Sequence, residues 1–313
     1  MFRSTSLLSL LIIVLLSGGC NVARIHSRVC EKRLVRNGFE QHVFVDSTGP
    51  HAVWSNGARN DKVLLLHGYS GTGKLQWSRT AAVLATDHQV IMPDLLCHGK
   101  STTTWHGQNM EAQVAHVLLL LDSLHISDPV TVVGNSYGGG VAAFLAEKYP
   151  QRVKKLVVYD GLLSDYSKHM ADSLAVSVGA ADIMDVLGNT SYKALRKGIK
   201  LSLYRNPPIP GFMLKQIYNV NVAAYRPAQV TLLLDLMAHE ERYIDKQFNW
   251  PMPVYFIWGE RDELIPNSVC HKVMQRNQIP EDHLTIIPRT GHVANLEQPK
   301  EFDKALREIF AKP

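Results

Sequence analysis

A serine hydroxyl is a poor nucleophile at neutral pH and needs a base, which in turn needs an acid to orient it. Ser136 stands in Gly134-Asn135-Ser136-Tyr137-Gly138, with Gly139 and Gly140 behind it. Small neighbours suit a serine on a sharp strand–turn–helix, because the backbones there pass closely. The five-residue pattern alone is common. It gains weight from its place after an apolar strand-length run and before a helix. In such an arrangement the chain order is Ser, then Asp or Glu, then His. Asp262 in Gly259-Glu260-Arg261-Asp262 and His292 in Thr290-Gly291-His292-Val293 follow in that order, each just after a candidate strand. Glu260, Glu263 and Asp160 are the competing acids, Asp160 because it also ends a strand-like run. The oxyanion of a tetrahedral intermediate needs two donors. The backbone N–H of Tyr137 is one expectation. The backbone N–H of Tyr69, in His67-Gly68-Tyr69, is the other, and the Tyr69 side chain is an alternative contributor to the acyl pocket.

Those residues must be delivered by a sheet. Lys62–Leu66, Gln89–Met92, Val130–Val133, Val153–Tyr159, Val254–Trp258 and Leu284–Ile287 are short, continuous apolar runs. They suit strands buried on both faces, as in a parallel sheet covered by helices. Helical patterns fall at Met110–Leu124, Gly140–Lys148, Asn267–Gln275 and Pro299–Phe310. Phe39–Val45 and His51–Trp54, separated by Ser47-Thr48-Gly49-Pro50, read as an antiparallel hairpin at one edge. The alternation predicts an α/β fold with right-handed crossovers, its site at the carboxyl ends of the strands. It lapses between Leu162 and Trp250, a stretch with helical patterning, a turn at Pro207-Pro208-Ile209-Pro210-Gly211 and no convincing strand.

With His67-Gly68, Pro93-Asp94-Leu95-Leu96-Cys97-His98-Gly99-Lys100-Ser101, Gly134–Gly139, Asp262 and Gly291-His292 in place, the chain resembles the α/β-hydrolase superfamily over nearly all its mature length. It looks most like exported, cap-bearing bacterial lipases and esterases. The resemblance implies a mostly parallel sheet flanked by helices, a helical cap at 162–250 between core segments 38–161 and 251–313, and hydrolysis of carboxylic esters through an acyl-enzyme. No metal or organic cofactor is implied. Cys97 departs from the family's usual small or basic residue.

Three other readings are weighed. Gly68-Tyr69-Ser70-Gly71-Thr72-Gly73-Lys74 fits a phosphate-binding loop, but Leu75 stands where a magnesium-binding Ser or Thr is needed. Carbon–carbon bond hydrolysis of ring-fission products uses the same three residues. A catalytically inactive binding module on the same scaffold would usually have lost one of them.

The chain has 313 residues, 46% hydrophobic and 19% charged, with a net charge of +5. That is ordinary globular composition, and so mild a basic excess does not argue for nucleic acid. The partners expected are a small-molecule or lipid ester and a membrane surface. Arg3, the apolar run Leu7 to Leu16, small residues and then Cys20 read as a secretory leader over 1–19 of the lipoprotein type, with Cys20 lipidated. Ser17 departs from the usual Leu there. A run of this length is about half what a spanning helix needs. Arg24, Arg28, Lys32, Arg33 and Arg36 mark 20–37 as a basic tether able to rest on anionic headgroups. An oxidising compartment would permit a Cys97–Cys270 disulfide.

Overall fold

The computed structural model describes residues 21–101, 109–188 and 191–312. Its centre is one eight-stranded sheet of order β1-β2-β4-β3-β5-β6-β7-β8. The strands are β1 Glu40–Asp46, β2 Gly49–Ser55, β3 Lys62–Leu66, β4 Gln89–Pro93, β5 Val130–Asn135, β6 Val153–Tyr159, β7 Val254–Gly259 and β8 Leu284–Ile287. β1 and β2 form the expected antiparallel hairpin, and β2 runs antiparallel to β4; every other pairing is parallel. The hairpin turn is tighter than the sequence suggested: Asp46 pairs with Gly49, leaving only Ser47 and Thr48 in the loop, while Gly49 takes a φ of +121°.

Strand alternation divides the core between two faces. Leu64, Val132, Leu156, Val158, Phe256 and Trp258 pack into one apolar cluster. Their neighbours Val63, Leu65, Val133, Val157, Tyr255 and Ile257 pack into the other. A period-2 pattern that is apolar at both parities therefore buries both faces, and helices cover each.

The four expected helices are present as α3 Met110–Ser123, α4 Tyr137–Lys148, α10 Asn267–Arg276 and α12 Pro299–Ala311. α4 starts three residues earlier than its pattern suggested, directly behind Ser136, because Gly138, Gly139 and Gly140 form its first turns and carry little helical signal. Two longer helices went unread. α2, Gly73–Leu84, is capped by Thr72, whose hydroxyl accepts from Leu75 N–H. This is the segment that fitted a phosphate loop, and Lys74 pairs outward with Glu31 at 2.9 Å.

The other is α1, Val22–Arg36, which corrects the expected tether. Its small or apolar residues Ala23, Cys30 and Leu34 are buried at helical spacing against the core. Arg24, Arg28, Lys32 and Arg36 are exposed, so the charge that suggested a tether is the outer face of a docked helix.

Between β6 and β7 the described chain forms only helices: α5 Lys168–Ser177, α6 Ile183–Leu187, α7 Tyr192–Ser202, α8 Gly211–Ile217 with a π turn at Tyr218–Val222, and α9 Arg226–Ala238, besides one 3-10 turn. The possible disulfide does not form. Cys30, Cys97 and Cys270 are free and buried, with Cys97 and Cys270 in separate apolar clusters. Among the described residues no helix is long and apolar enough to cross a membrane. Cys20 and the expected leader over 1–19 lie outside the described residues.

Candidate active site

The loops that follow β3, β5, β7 and β8 bring Tyr69, Ser136, Asp262 and His292 to the carboxyl edge of the sheet. Ser136 has φ +53° and ψ −122°, a conformation that costs a residue with a side chain of order 1–3 kcal/mol. The surroundings enforce it. Ser136 N–H donates to Tyr159 C=O at 3.0 Å, and Ser136 C=O accepts from Gly139, Gly140 and Leu162 N–H. The flanking glycines are required sterically: a Cβ on Gly134 would lie 2.2 Å from Gly138 O, and one on Gly138 would lie 2.5 Å from His67 O.

His292 and Asp262 are paired, Nδ1 to Oδ2 at 2.7 Å, both buried. Asp262 Oδ1 accepts from Leu264 and Ile265 N–H, each at 2.9 Å, so the carboxylate is held at both oxygens. Of the competing acids, Glu260 accepts from Arg289 N–H and Glu263 pairs with Arg261, both at the surface. Ser136 and His292 line one cavity, and the Ser136 hydroxyl makes no hydrogen bond among the described residues.

Tyr137 N–H opens α4, at a helical position with no intrahelical acceptor. In the opposing loop Gly68 N–H donates to Gln76 Oε1 at 2.9 Å and Ser70 N–H to His98 Nε2 at 3.1 Å. Tyr69 N–H, between them, has no acceptor among the described residues. Both expected oxyanion donors are thus left available. The Tyr69 side chain turns to the helical insertion, where its hydroxyl donates to Gln229 C=O at 2.8 Å.

Residues to which sequence reasoning gave no supporting role hold these groups in place. Gln76 Nε2 donates to Asn135 Oδ1 at 2.6 Å while its Oε1 takes Gly68 N–H. Asn135 Nδ2 in turn donates to Tyr159 C=O. One side-chain amide pair thereby fixes the Tyr69 loop to the Ser136 turn. His67 and His98 serve the same loop as neutral, fully buried acceptors: His67 Nε2 takes Leu95 N–H, and His98 Nε2 takes Ser70 N–H. Burial pushes His67 down to about 3 and His98 down to about 4. His67 and His98 lie within motifs that carried the family resemblance, though without this role; Gln76 carried no sequence signal.

The cavity at Ser136 has a volume of about 600 Å³. The core supplies its floor, while α1 supplies Val22, Ala23 and His26, and the insertion supplies walls such as Leu195, Ile199 and Leu233. Among the described residues no Asp, Glu, Lys or Arg lines it. Asp160, Asp262 and His292 bring donor atoms within 4.8 Å of one another, the one metal-compatible grouping among the described residues. Its best ligand atoms are engaged, since His292 Nδ1 is bonded to Asp262, whose other oxygen holds two amides.

A strained serine between strand and helix, on the carboxyl edge of a mostly parallel sheet, defines a hydrolase of the α/β class. The chain belongs to the alpha/beta hydrolase family, whose model matches residues 63–305. A 2-hydroxymuconate semialdehyde hydrolase of Pseudomonas sp. (strain CF600) is 26% identical over 263 residues, 80% of this chain and 86% of that protein. Lipase 1 of Psychrobacter immobilis is 27% identical over 259 residues, 80% of this chain and 78% of that protein. Among solved structures, one of a putative lipase from Acinetobacter baumannii AYE superposes with a TM-score of 0.77 at 19% identity, covering 91% of this chain and 95% of that one. One of a membrane phospholipase A gives 0.75 at 21% identity, covering 98% of each. At these identities the structural likeness speaks for the fold alone.

Proposed function

We propose that this hydrolase cleaves carboxylic esters that carry an apolar acyl chain. Ser136 attacks the ester carbonyl and passes its proton to His292. Asp262 fixes the imidazole tautomer and stabilises the imidazolium, while the N–H groups of Tyr69 and Tyr137 hold the oxyanion. Water, activated by His292, then releases the acyl group.

The observation that carries this reading is the lining of the Ser136 cavity, which among the described residues is mostly apolar, with a few polar groups, two histidines and no Asp, Glu, Lys or Arg. Carbon–carbon bond cleavage on the same residues is the second reading, favoured by relatives such as a 2-hydroxy-6-oxo-2,4-heptadienoate hydrolase of Pseudomonas putida, 27% identical. A dienoate brings a carboxylate, which no Lys or Arg among the described lining residues meets, leaving only the imidazoles of His26, raised above its ordinary value chiefly by its hydrogen bond to Cys30, and His292. Uncharged esters suit it better.

The leader and Cys20 extend the proposal to export and lipid anchoring. Metabolic labelling with a radioactive fatty acid tests it: Cys20→Ser should abolish incorporation, and unchanged labelling would refute anchoring at this residue.

The deciding test of function pairs p-nitrophenyl esters from C2 to C16 with a hydroxy-oxo-dienoate substrate. Ser136→Ala should lower ester turnover by roughly 10³-fold or more. Turnover of the dienoate but of no ester would transfer the assignment to the second reading.

A further inference from the structure

One buried acid beside the site has no part in the steps above. Asp160 follows β6, is fully buried, and has a φ of +42°. Its N–H is held by Ile257 C=O at 3.0 Å, and its Oδ1 accepts from Gly259 N–H at 2.8 Å. Its Oδ2 is buried with no hydrogen-bond partner. Donor atoms of Asp160, Asp262 and His292 all lie within 4.8 Å of one another.

Two carboxyl groups this close and out of water do not both ionise, because desolvation and mutual repulsion act in the same direction. Their partners decide which one keeps the charge. Asp262 receives two backbone N–H groups on one oxygen and His292 on the other. Asp160 receives a single N–H, and its second oxygen is the one atom of the pair left without a partner. Burial first, and then the negative charge of Asp262, push the Asp160 carboxyl well above the usual range. Glu297, which accepts Gly291 and Tyr204 N–H at its two oxygens, adds further negative charge from α11, Ala294–Glu297. The Tyr159 hydroxyl and the Cys270 thiol are also pushed up, chiefly by burial, and remain neutral.

We propose that Asp160 is a positioning residue, a neutral carboxylic acid whose Oδ2–H donates to Asp262 and so fixes the carboxylate that orients His292. The proton stays on Asp160 through the cycle, and only His292 exchanges a proton with Ser136 and the leaving group. This rests on the roles given to Asp262 and His292 above.

The test compares Asp160→Asn with Asp160→Ala. An Asn keeps an acceptor for Gly259 N–H and a neutral donor toward Asp262. It should hold kcat within about threefold and leave the pH profile in place. An Ala removes the donor. It should lower kcat by about tenfold or more with little change in KM, and raise the acid limb of kcat/KM, because a less supported Asp262 favours the imidazolium. Infrared spectroscopy of the unmutated protein at pH 8 gives an independent reading: a protonated-carboxyl C=O band should be present, and absent from Asp160→Asn. Equal damage in both variants, full activity in the Ala variant, or no such band at pH 8 would each overturn the proposal. Absence of the band from the unmutated protein overturns the proposal even where a variant does not fold. If Asp262→Ala is itself fully active, the catalytic reading fails; if it is inactive while Asp160→Ala is unimpaired, only the role of Asp160 fails.

Discussion

Arg226, at the start of α9 in the helical insertion, donates from Nη1 to the Tyr69 hydroxyl at 3.3 Å. The same nitrogen reaches Leu187 C=O at 3.0 Å, and Nη2 reaches Ser70 Oγ at 3.2 Å. A buried guanidinium thus ties the insertion to the loop that carries one proposed oxyanion donor. Its planar fork serves three acceptors, an arrangement that a point-charge ammonium does not reproduce.

Replacing Arg226 with Ala should therefore cost both stability and rate. The acceptors are half-buried, and each one left unpaired costs up to about 1–3 kcal/mol. A fall of several degrees in Tm is expected together with a drop in kcat, and Arg226→Lys should recover little of either. Thermal unfolding followed beside ester kinetics checks this. A Lys variant indistinguishable from the native protein would show that the fork geometry is immaterial.

Asp262 and His292 are joined through Nδ1. Asp262→Asn should favour the wrong imidazole tautomer and lower kcat by roughly 10⁴-fold with little change in KM. Labelling by a fluorophosphonate should slow in step. Undiminished turnover would remove Asp262 from the mechanism and reopen the choice of acid.

Three buried histidines make the fold sensitive to acid. His67, His98 and His116 are lowered to about 3, 4 and 3, chiefly by burial, against an ordinary value of 6.5. Between those values and 6.5 the unfolded chain binds protons that the folded chain refuses. Stability from these groups is therefore complete above about pH 6.5 and is lost as pH falls toward 4. The slope approaches about 1.4 kcal/mol per pH unit for each histidine in mid-window. Tm measured from pH 4 to 8 should fall steeply below 6.5; a flat profile would contradict this account.

The glycines around Ser136 differ sharply from those at the surface. Gly134→Ala and Gly138→Ala force a methyl group against backbone and should cost about 1–3 kcal/mol or more. A methyl group added at Gly57 would meet nothing within 4 Å, so Gly57→Ala should be neutral or slightly stabilising. Denaturant titration separates the two cases.

The cavity wall should set acyl length. Ile199 and Leu195 line it from α7, and a Trp at either position should fill space that a long chain needs. Hydrolysis of C12 to C16 esters is expected to fall by about tenfold or more while C2 to C4 esters stay within about threefold. A uniform loss across the series would mean that the chain lies elsewhere.

The sheet was legible because a run such as Lys62-Val63-Leu64-Leu65-Leu66 fits few elements other than a strand covered on both sides. Ser136 and His292 were legible because the motif and the end of a strand coincide. α1 was misread because its five basic residues outweigh the sparse row of Ala23, Cys30 and Leu34, which has meaning only against a partner surface. The Gln76–Asn135 link spans 59 positions and Arg226–Tyr69 spans 157, so neither leaves a local trace. The choice between Asp160 and Asp262 turned on a few ångströms, which spacing along a chain does not encode.

α1 carries one more consequence. Val22 N–H donates to Gln216 Oε1 at 2.9 Å, and Val22, Ala23 and His26 form part of the cavity wall. Most of the helix docks on α2 through pairs such as Glu31–Lys74, but its first residue completes its contact, and the wall it forms, only once Gln216 of the insertion is in place. The chamber is thus walled by segments nearly two hundred positions apart in the chain, so a change at the start of α1 reaches the substrate as directly as one in the insertion.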